Sequence, residues 1–181
     1  MRDLSLHILD IAQNSIRANA TCIKLVIEED IEENIFKIRI EDNGGGMDDQ
    51  IKEHVTNPFT TTRMLRKVGL GIPFLKQICE ECEGELNIES EKGKGTTIKA
   101  LMKHNHIDRL PLGEIDKTIT TLIMARSQIH YIYEHKYNDK KFSFDTEEIK
   151  GILEGVAIDD LDILKWIEEY IQSQLKELRK Y

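Results

Sequence analysis

The sequence predicts an α+β fold: a two-layer sandwich in which helices cover one face of a mixed sheet, followed by a smaller C-terminal α+β unit. Three observations predict it. Residues 3–18 repeat with a helical period and are apolar nearly all round, as a largely buried helix would be. Cys22 to Glu28 and Ile35 to Glu41 alternate apolar and polar residues, the mark of half-buried strands with helices on one side. A second helix and a further hairpin follow at residues 71–83 and 85–103.

Bulk composition narrows the class. A chain of 181 residues allows one domain, or one and a small second. It is 40% hydrophobic and 32% charged, with a net charge of -8, which argues against a general nucleic-acid binder. No apolar run approaches a membrane span. The chain opens Met1-Arg2-Asp3 and runs straight into the amphipathic pattern, with no signal-peptide character. Three cysteines close no disulfide framework. The expectation is a cytoplasmic protein with reduced thiols.

In the first helix Asp3, His7, Asp10, Asn14 and Arg17 fall on one narrow stripe among Leu4, Ile8, Ile11 and Ala12. A polar stripe on a buried helix needs partners, either protein groups or a ligand. In the two strands Ile23, Leu25 and Ile27, then Phe36, Ile38 and Ile40, share faces, and an acidic loop at residues 29–34 joins them as a hairpin. Residues 48–54 read as a short helix, and residues 57–67 as a polar, basic loop. A helix then runs from Gly71 to about Glu83, stopped by Gly84. Strands at residues 85–91 and 96–103 turn at Lys92-Gly93-Lys94-Gly95.

Residues 104–113 change character, hold one of the three prolines and mark a boundary, giving segments 1–104 and 105–181. Beyond it come a helix at 114–126, a hairpin at 129–144 and a helix opened by Asp145. The longest helix, 159–179, has Leu164, Ile167, Ile171, Leu175 and Leu178 along one side.

Asp42-Asn43-Gly44-Gly45-Gly46-Met47 follows the second strand directly. Three consecutive glycines bury no side chain, but they allow positive φ and close approach of a ligand. Asp42 stands at the strand exit, where a carboxylate accepts hydrogen bonds. Alone, this stretch reads as an Asp-opened turn.

Its company changes that reading. Asp10 to Thr21 resembles the N box of the GHKL ATP-binding superfamily: gyrase-type topoisomerases, heat-shock chaperones, histidine kinases and MutL. Asp42 to Met47 resembles the first glycine box. Pro58-Phe59-Thr60-Thr61-Thr62 through Val68-Gly69-Leu70-Gly71-Ile72 resembles the phenylalanine box, ATP lid and second glycine box. Gly93-Lys94-Gly95-Thr96-Thr97-Ile98 resembles the last glycine-threonine box. Four boxes in order are specific where one is weak. The likeness covers roughly residues 3–103 and is closest to the histidine kinase-like ATPase domain.

The resemblance implies a Bergerat-type fold holding ATP and Mg²⁺ between sheet and helices. Asn14 would be the metal ligand, since Mg²⁺ prefers oxygen and keeps waters. Arg17 would neutralise phosphate charge. Asp42 would accept from the adenine amino group, with Gly44, Gly46 and Met47 around the base and Thr96 completing its pocket. Gly69, Leu70 and Gly71 would open a helix whose N–H groups suit phosphate. Arg63 and Lys67 of the lid would close over the phosphates, or stand as solvated basic residues.

Two departures bear on function. Self-sufficient ATPases of the superfamily carry Glu where this chain has Asp10, one methylene shorter. Asp10 would hold a metal-bound water or act as a base of altered reach. A histidine kinase also needs a helical hairpin bearing the phosphoacceptor histidine, and only two residues precede Asp3. The expected acceptor is therefore a separate partner protein, or a residue of the C-terminal segment. One reading is a histidine kinase-like enzyme that phosphorylates or regulates a partner. The alternative is an ATP-gated switch governing homodimerisation or partner binding.

Weaker signals have plainer readings. His104 and His106 suit a metal site, an acceptor histidine or an ordinary junction strand, the last being favoured. Cys79 and Cys82 lie at a helix C-terminus, where thiolate is disfavoured, and read as core. The Leu164–Leu178 stripe and Trp166 suit packing on the chain's own C-terminal unit better than a partner interface.

Overall fold

The structure, a computed structural model, describes residues 2–49, 52, 55 and 70–180. The order is α1 (Leu4–Arg17), β1 (Cys22–Asp30), β2 (Ile35–Asp42), α2 (Gly71–Glu81), β3 (Glu85–Glu91) and β4 (Gly95–Lys103). Then follow α3 (Ile115–Ala125), β5 (His130–Tyr137), β6 (Lys140–Asp145), α4 (Thr146–Ile152) and α5 (Leu161–Leu178). The short helix expected at residues 48–54 and the loop at 57–67 lie mostly or wholly outside the described residues.

The strands form one mixed six-stranded sheet in the order β3-β4-β2-β1-β5-β6. β1 pairs antiparallel with β2 and parallel with β5, the latter from Cys22 opposite His130 to Glu29 opposite Tyr137. The C-terminal hairpin β5–β6 thus extends the sheet built by the first four strands. The boundary expected at residues 104–113 falls on the β4–α3 connection.

Alternation decides which face is covered. Ile23, Leu25, Ile27, Phe36, Ile38, Ile40, Ile98, Ala100 and Met102 are buried under the helices. The opposite face carries ion pairs such as Lys24 with Glu134 at 2.9 Å and Lys99 with Glu89 at 2.6 Å. The Lys99–Glu89 pair is exposed, and such a pair contributes about 0–1 kcal/mol, so it does little to hold the fold. Val26 points the same way yet is 1% exposed. The stems of neighbouring charged residues can cover such a position.

α1 is held at both ends. Asp3 is its N-cap, accepting from the Leu6 N–H at 3.1 Å and the Ser5 hydroxyl at 2.7 Å, a cap of about 1 kcal/mol. The N–H groups of Leu4 and Ser5 donate to the carbonyls of Pro111 and Leu112, and the Thr118 hydroxyl donates to the Ser5 carbonyl at 3.3 Å. The C-terminal segment therefore grips the helix that carries Asn14. α5 buries Leu164, Ile167, Ile171 and Leu178, while Trp166 stays half exposed and stacks on Tyr170 at 5.3 Å between centroids. No helix among the described residues is long and apolar enough to cross a membrane.

Candidate functional site

The polar stripe of α1 turns away from solvent along much of its length. His7 is 3% exposed, and Asp10 and Asn14 are half buried. His7 Nδ1 and Asn14 Nδ2 are the buried side-chain polar atoms without a hydrogen-bond partner among the described residues. An unpaired buried amide costs on the order of 1–3 kcal/mol, so Asn14 stands where a ligand would repay it. Its Oδ1 accepts from the Arg17 guanidinium at 2.7 Å, and Arg17 Nε donates to the Gln13 carbonyl at 3.2 Å.

Asn14 and Arg17 line a pocket of about 210 Å³ whose other polar walls are Ser15, Asp42 and Thr96. Ile11, Ile40, Ile72 and Ile98 supply apolar surface, and Gly46 and Met47 close the strand end. A flat, half-polar ring suits such walls: apolar faces for the ring and a few placed polar groups at its edge.

Asp42 leaves β2 opposite Ile23 on one side and Thr96 on the other. Its Oδ2 accepts from the Ser15 hydroxyl at 2.7 Å and its Oδ1 from the Gly44 N–H at 2.9 Å. A carboxylate has about four acceptor sites, so acceptor capacity remains for a ligand amino group. Asn43 clamps the neighbouring chain: its Oδ1 accepts from the N–H groups of Thr21 and Cys22, both at 2.9 Å.

Thr96 is positioned through Ser90. The Ser90 hydroxyl donates to the Gly95 carbonyl at 3.0 Å and accepts from the Met47 N–H at 2.9 Å. With that one proton spent, the 2.9 Å contact to Thr96 Oγ1 requires Thr96 to donate, which leaves the Thr96 lone pairs free. The sequence does not mark Ser15 or Ser90 as site residues. Ser90 was within its reach, since the hairpin turning at residues 92–94 sets Ser90 opposite Thr96. Ser15 carried no signal beyond its place beside Asn14.

The glycines are used differently. A Cβ on Gly44 would lie 2.9 Å from the Ala18 carbonyl oxygen, so the loop seats directly on the end of α1. Gly46 has φ 64, and a Cβ there would lie 2.1 Å from the Glu91 carbonyl oxygen. Gly46→Ala therefore combines a left-handed penalty of about 1–2 kcal/mol with a backbone clash. It is expected to lower the melting temperature by roughly 5 °C; an unchanged thermal melt would contradict this.

At the start of α2, Leu70 is the N-cap and makes no side-chain capping bond. The N–H groups of Gly71 and Ile72 lack intrahelical acceptors, but Pro73 has no N–H to offer, and Phe74 already donates to the Leu70 carbonyl. The helix end thus presents two donors rather than three. Asp10 lies against it: a Cβ on Gly71 would sit 2.3 Å from Asp10 Oδ2. A carboxylate is favoured at that positive helix end. Among the described residues Asp10 makes no hydrogen bond or ion pair, and it is not among the residues that line the pocket. Gly69, Arg63 and Lys67 lie outside the described residues.

The histidines at the β4 end diverge. His104 Nε2 binds Glu29 at 2.9 Å, whereas His106 faces Glu83 at 3.6 Å and Asp108 at 3.8 Å. Cys79 and Cys82 are fully buried in the core, and burial pushes the Cys79 thiol up to about 12.

Residues 2–106 match the family described as histidine kinase-, DNA gyrase B-, and HSP90-like ATPase, and the chain belongs to that family. The fold extends beyond that segment. The N-terminal domain of a DNA repair protein matches 79% of this chain and 52% of its own at a TM-score of 0.51 and 17% identity. A candidate sensor protein of Shewanella frigidimarina is 35% identical over 96 residues, 52% of this chain. Sporulation kinase C of Bacillus subtilis is 37% identical over 65 residues, 36% of this chain. In each case the match spans 15% of the relative's length.

Proposed function

We propose that this chain binds Mg-ATP and, as a cytoplasmic histidine kinase-like module, phosphorylates or regulates a separate partner protein. The observation that carries the reading is a single pocket that joins Asp42 and Thr96 at the strand ends to Asn14 and Arg17 on α1. Its roles divide by chemistry. Asp42 and Thr96 take the adenine edge, the four isoleucines its faces, and Arg17 with the α2 N-terminus the phosphates.

The residues fit Mg²⁺. Asn14 has an oxygen on the pocket wall and an orphaned amide nitrogen beside it, and a Mg²⁺ held on a nucleotide needs few protein ligands. Asn14 Oδ1 would hold the ion, which neutralises charge between the phosphates when bound. Arg17, which occupies that oxygen at 2.7 Å, would then turn to phosphate. Asp10, near the α2 N-terminus, would orient water or act as base. Asn14→Ala is expected to weaken ATP binding about ten-fold with Mg²⁺ present and to leave binding in EDTA unchanged. Equal losses in both conditions, read by calorimetry, would count against the ligand assignment.

A second reading has its own support. The C-terminal segment bonds directly to α1 through Pro111, Leu112 and Thr118. A ligand that shifts α1 would be felt there, as in an ATP-gated switch controlling homodimerisation or partner binding. Labelled ATP separates the two. Label on a partner protein from the same cell supports phosphotransfer, whereas ATP-dependent association without labelled protein supports the switch.

A further inference from the structure

On the helix-free face of the sheet, side chains from three adjacent strands meet. Cys22 opens β1 and lies opposite His130 of β5; Asp145 ends β6. His130 Nε2 is 2.8 Å from Asp145 Oδ1, and His130 Nδ1 is 3.9 Å from Cys22 Sγ. Asp145 is itself fixed as the N-cap of α4, accepting from the Glu147 N–H at 2.8 Å. A carboxylate only accepts, so Nε2 carries the imidazole proton. In the neutral ring this leaves the Nδ1 lone pair facing the thiol. Nucleophile, base and orienting carboxylate are thus in sequence.

Access and environment set this thiol apart. Cys22 is half buried and His130 is 31% exposed, while Cys79 and Cys82 are 0% exposed. Burial, and then the Asp145 charge, raise the Cys22 thiol, so it rests protonated with a base beside it. The Cys22 backbone N–H, the natural oxyanion donor for acyl transfer, is already given to Asn43 Oδ1 at 2.9 Å. Thiol–disulfide exchange needs no such donor.

We propose that Cys22 is a modification site for small disulfides, with His130 as its base and Asp145 as the positioning residue. Sγ attacks one sulfur of RS–SR as Nδ1 takes its proton. The Sγ–S bond forms and the RS–SR bond breaks. The leaving thiolate regains the proton from the imidazolium. Cys22 is oxidised to the mixed disulfide and half of the small disulfide is reduced.

Oxidised glutathione added to the native chain tests this, read by intact mass and peptide mapping. One adduct on Cys22 is expected, absent in Cys22→Ser and formed faster than on the same thiol in urea. His130→Gln should slow it about ten-fold or more, with His130→Asn as the second variant if Gln perturbs folding. Asp145→Asn keeps the N-cap and should slow adduct formation without moving the melting temperature. A native rate no higher than the unfolded one overturns the site. A wild-type rate in the His130 or the Asp145 variant overturns that residue's role.

Discussion

Asp42→Asn is expected to weaken ATP binding by about 100-fold or more, a change of about 2.7 kcal/mol. Both carboxylate oxygens already receive donors, the Ser15 hydroxyl at 2.7 Å and the Gly44 N–H at 2.9 Å. An amide in that place must turn its NH₂ toward one of them: toward Ser15 the hydroxyl has to reverse and accept, and toward Gly44 donor faces donor. It also withdraws the charge that makes the remaining acceptor sites strong; hydrogen bonds to charged groups contribute about 1.5–3 kcal/mol each. The two effects act together, because Ser15 and Gly44 hold the loop that shapes the pocket. Ser15→Ala separates them. It removes one donor and leaves the carboxylate, so it should cost about ten-fold or less. Calorimetry on both variants, with circular dichroism as the control for folding, reads the difference. Wild-type affinity in Asp42→Asn would sink the adenine assignment.

That assignment rests on residues the sequence already exposed. Asn14, Asp42 and Thr96 are legible because each sits at a fixed place in a box, and the boxes come in order. α1, α2 and the first four strands are legible because each has a clear period. What the period does not encode is the neighbour. Alternation in residues 130–137 says that Tyr131, Tyr133 and His135 share a face, but not that β5 lies parallel to β1. Pairing across more than a hundred residues is set by the whole core rather than by local pattern. The same limit hid Ser15, whose partner Asp42 is 27 residues away, and the Cys22–His130–Asp145 group, whose members stand on three strands. His104 was legible as a histidine at a junction; its partner was not.

That partner, Glu29, carries the largest expected effect on stability. Its side chain is 7% exposed at the far end of β1 from Cys22. Oε1 accepts from His135 Nε2 at 2.8 Å and from the Arg179 guanidinium at 2.6 Å, and Oε2 from His104 Nε2 at 2.9 Å. His135, fully buried, meets the Tyr133 hydroxyl at 2.6 Å through Nδ1. Burial works to raise the Glu29 carboxyl, but the bonds from His135, Arg179 and His104 outweigh it and hold the group well below the usual carboxylate range. Arg179 is the C-cap of α5, so one carboxylate ties the end of the last helix to β1, to β5 and to the residue that follows β4. Glu29→Gln leaves these donors facing a weaker acceptor and is expected to cost roughly 3 kcal/mol at neutral pH.

The pH dependence gives a sharper test of the same group. A carboxyl whose pKa is lower in the folded than in the unfolded chain contributes stability that is fully present above its ordinary value of 4.5. That contribution is lost as pH falls from there toward the folded value. Urea unfolding of the wild type should therefore weaken from pH 5 to pH 3 more steeply than that of Glu29→Gln, and the gap between the two should narrow. A gap that stays constant through this window would mean that the Gln variant is destabilised by packing rather than by loss of the charge. Hydrogen exchange at the α5 end locates the effect. If Glu29 is the anchor, amides near Arg179 should lose protection in Glu29→Gln while those of α2, which packs on α1, β3 and β4, should keep it.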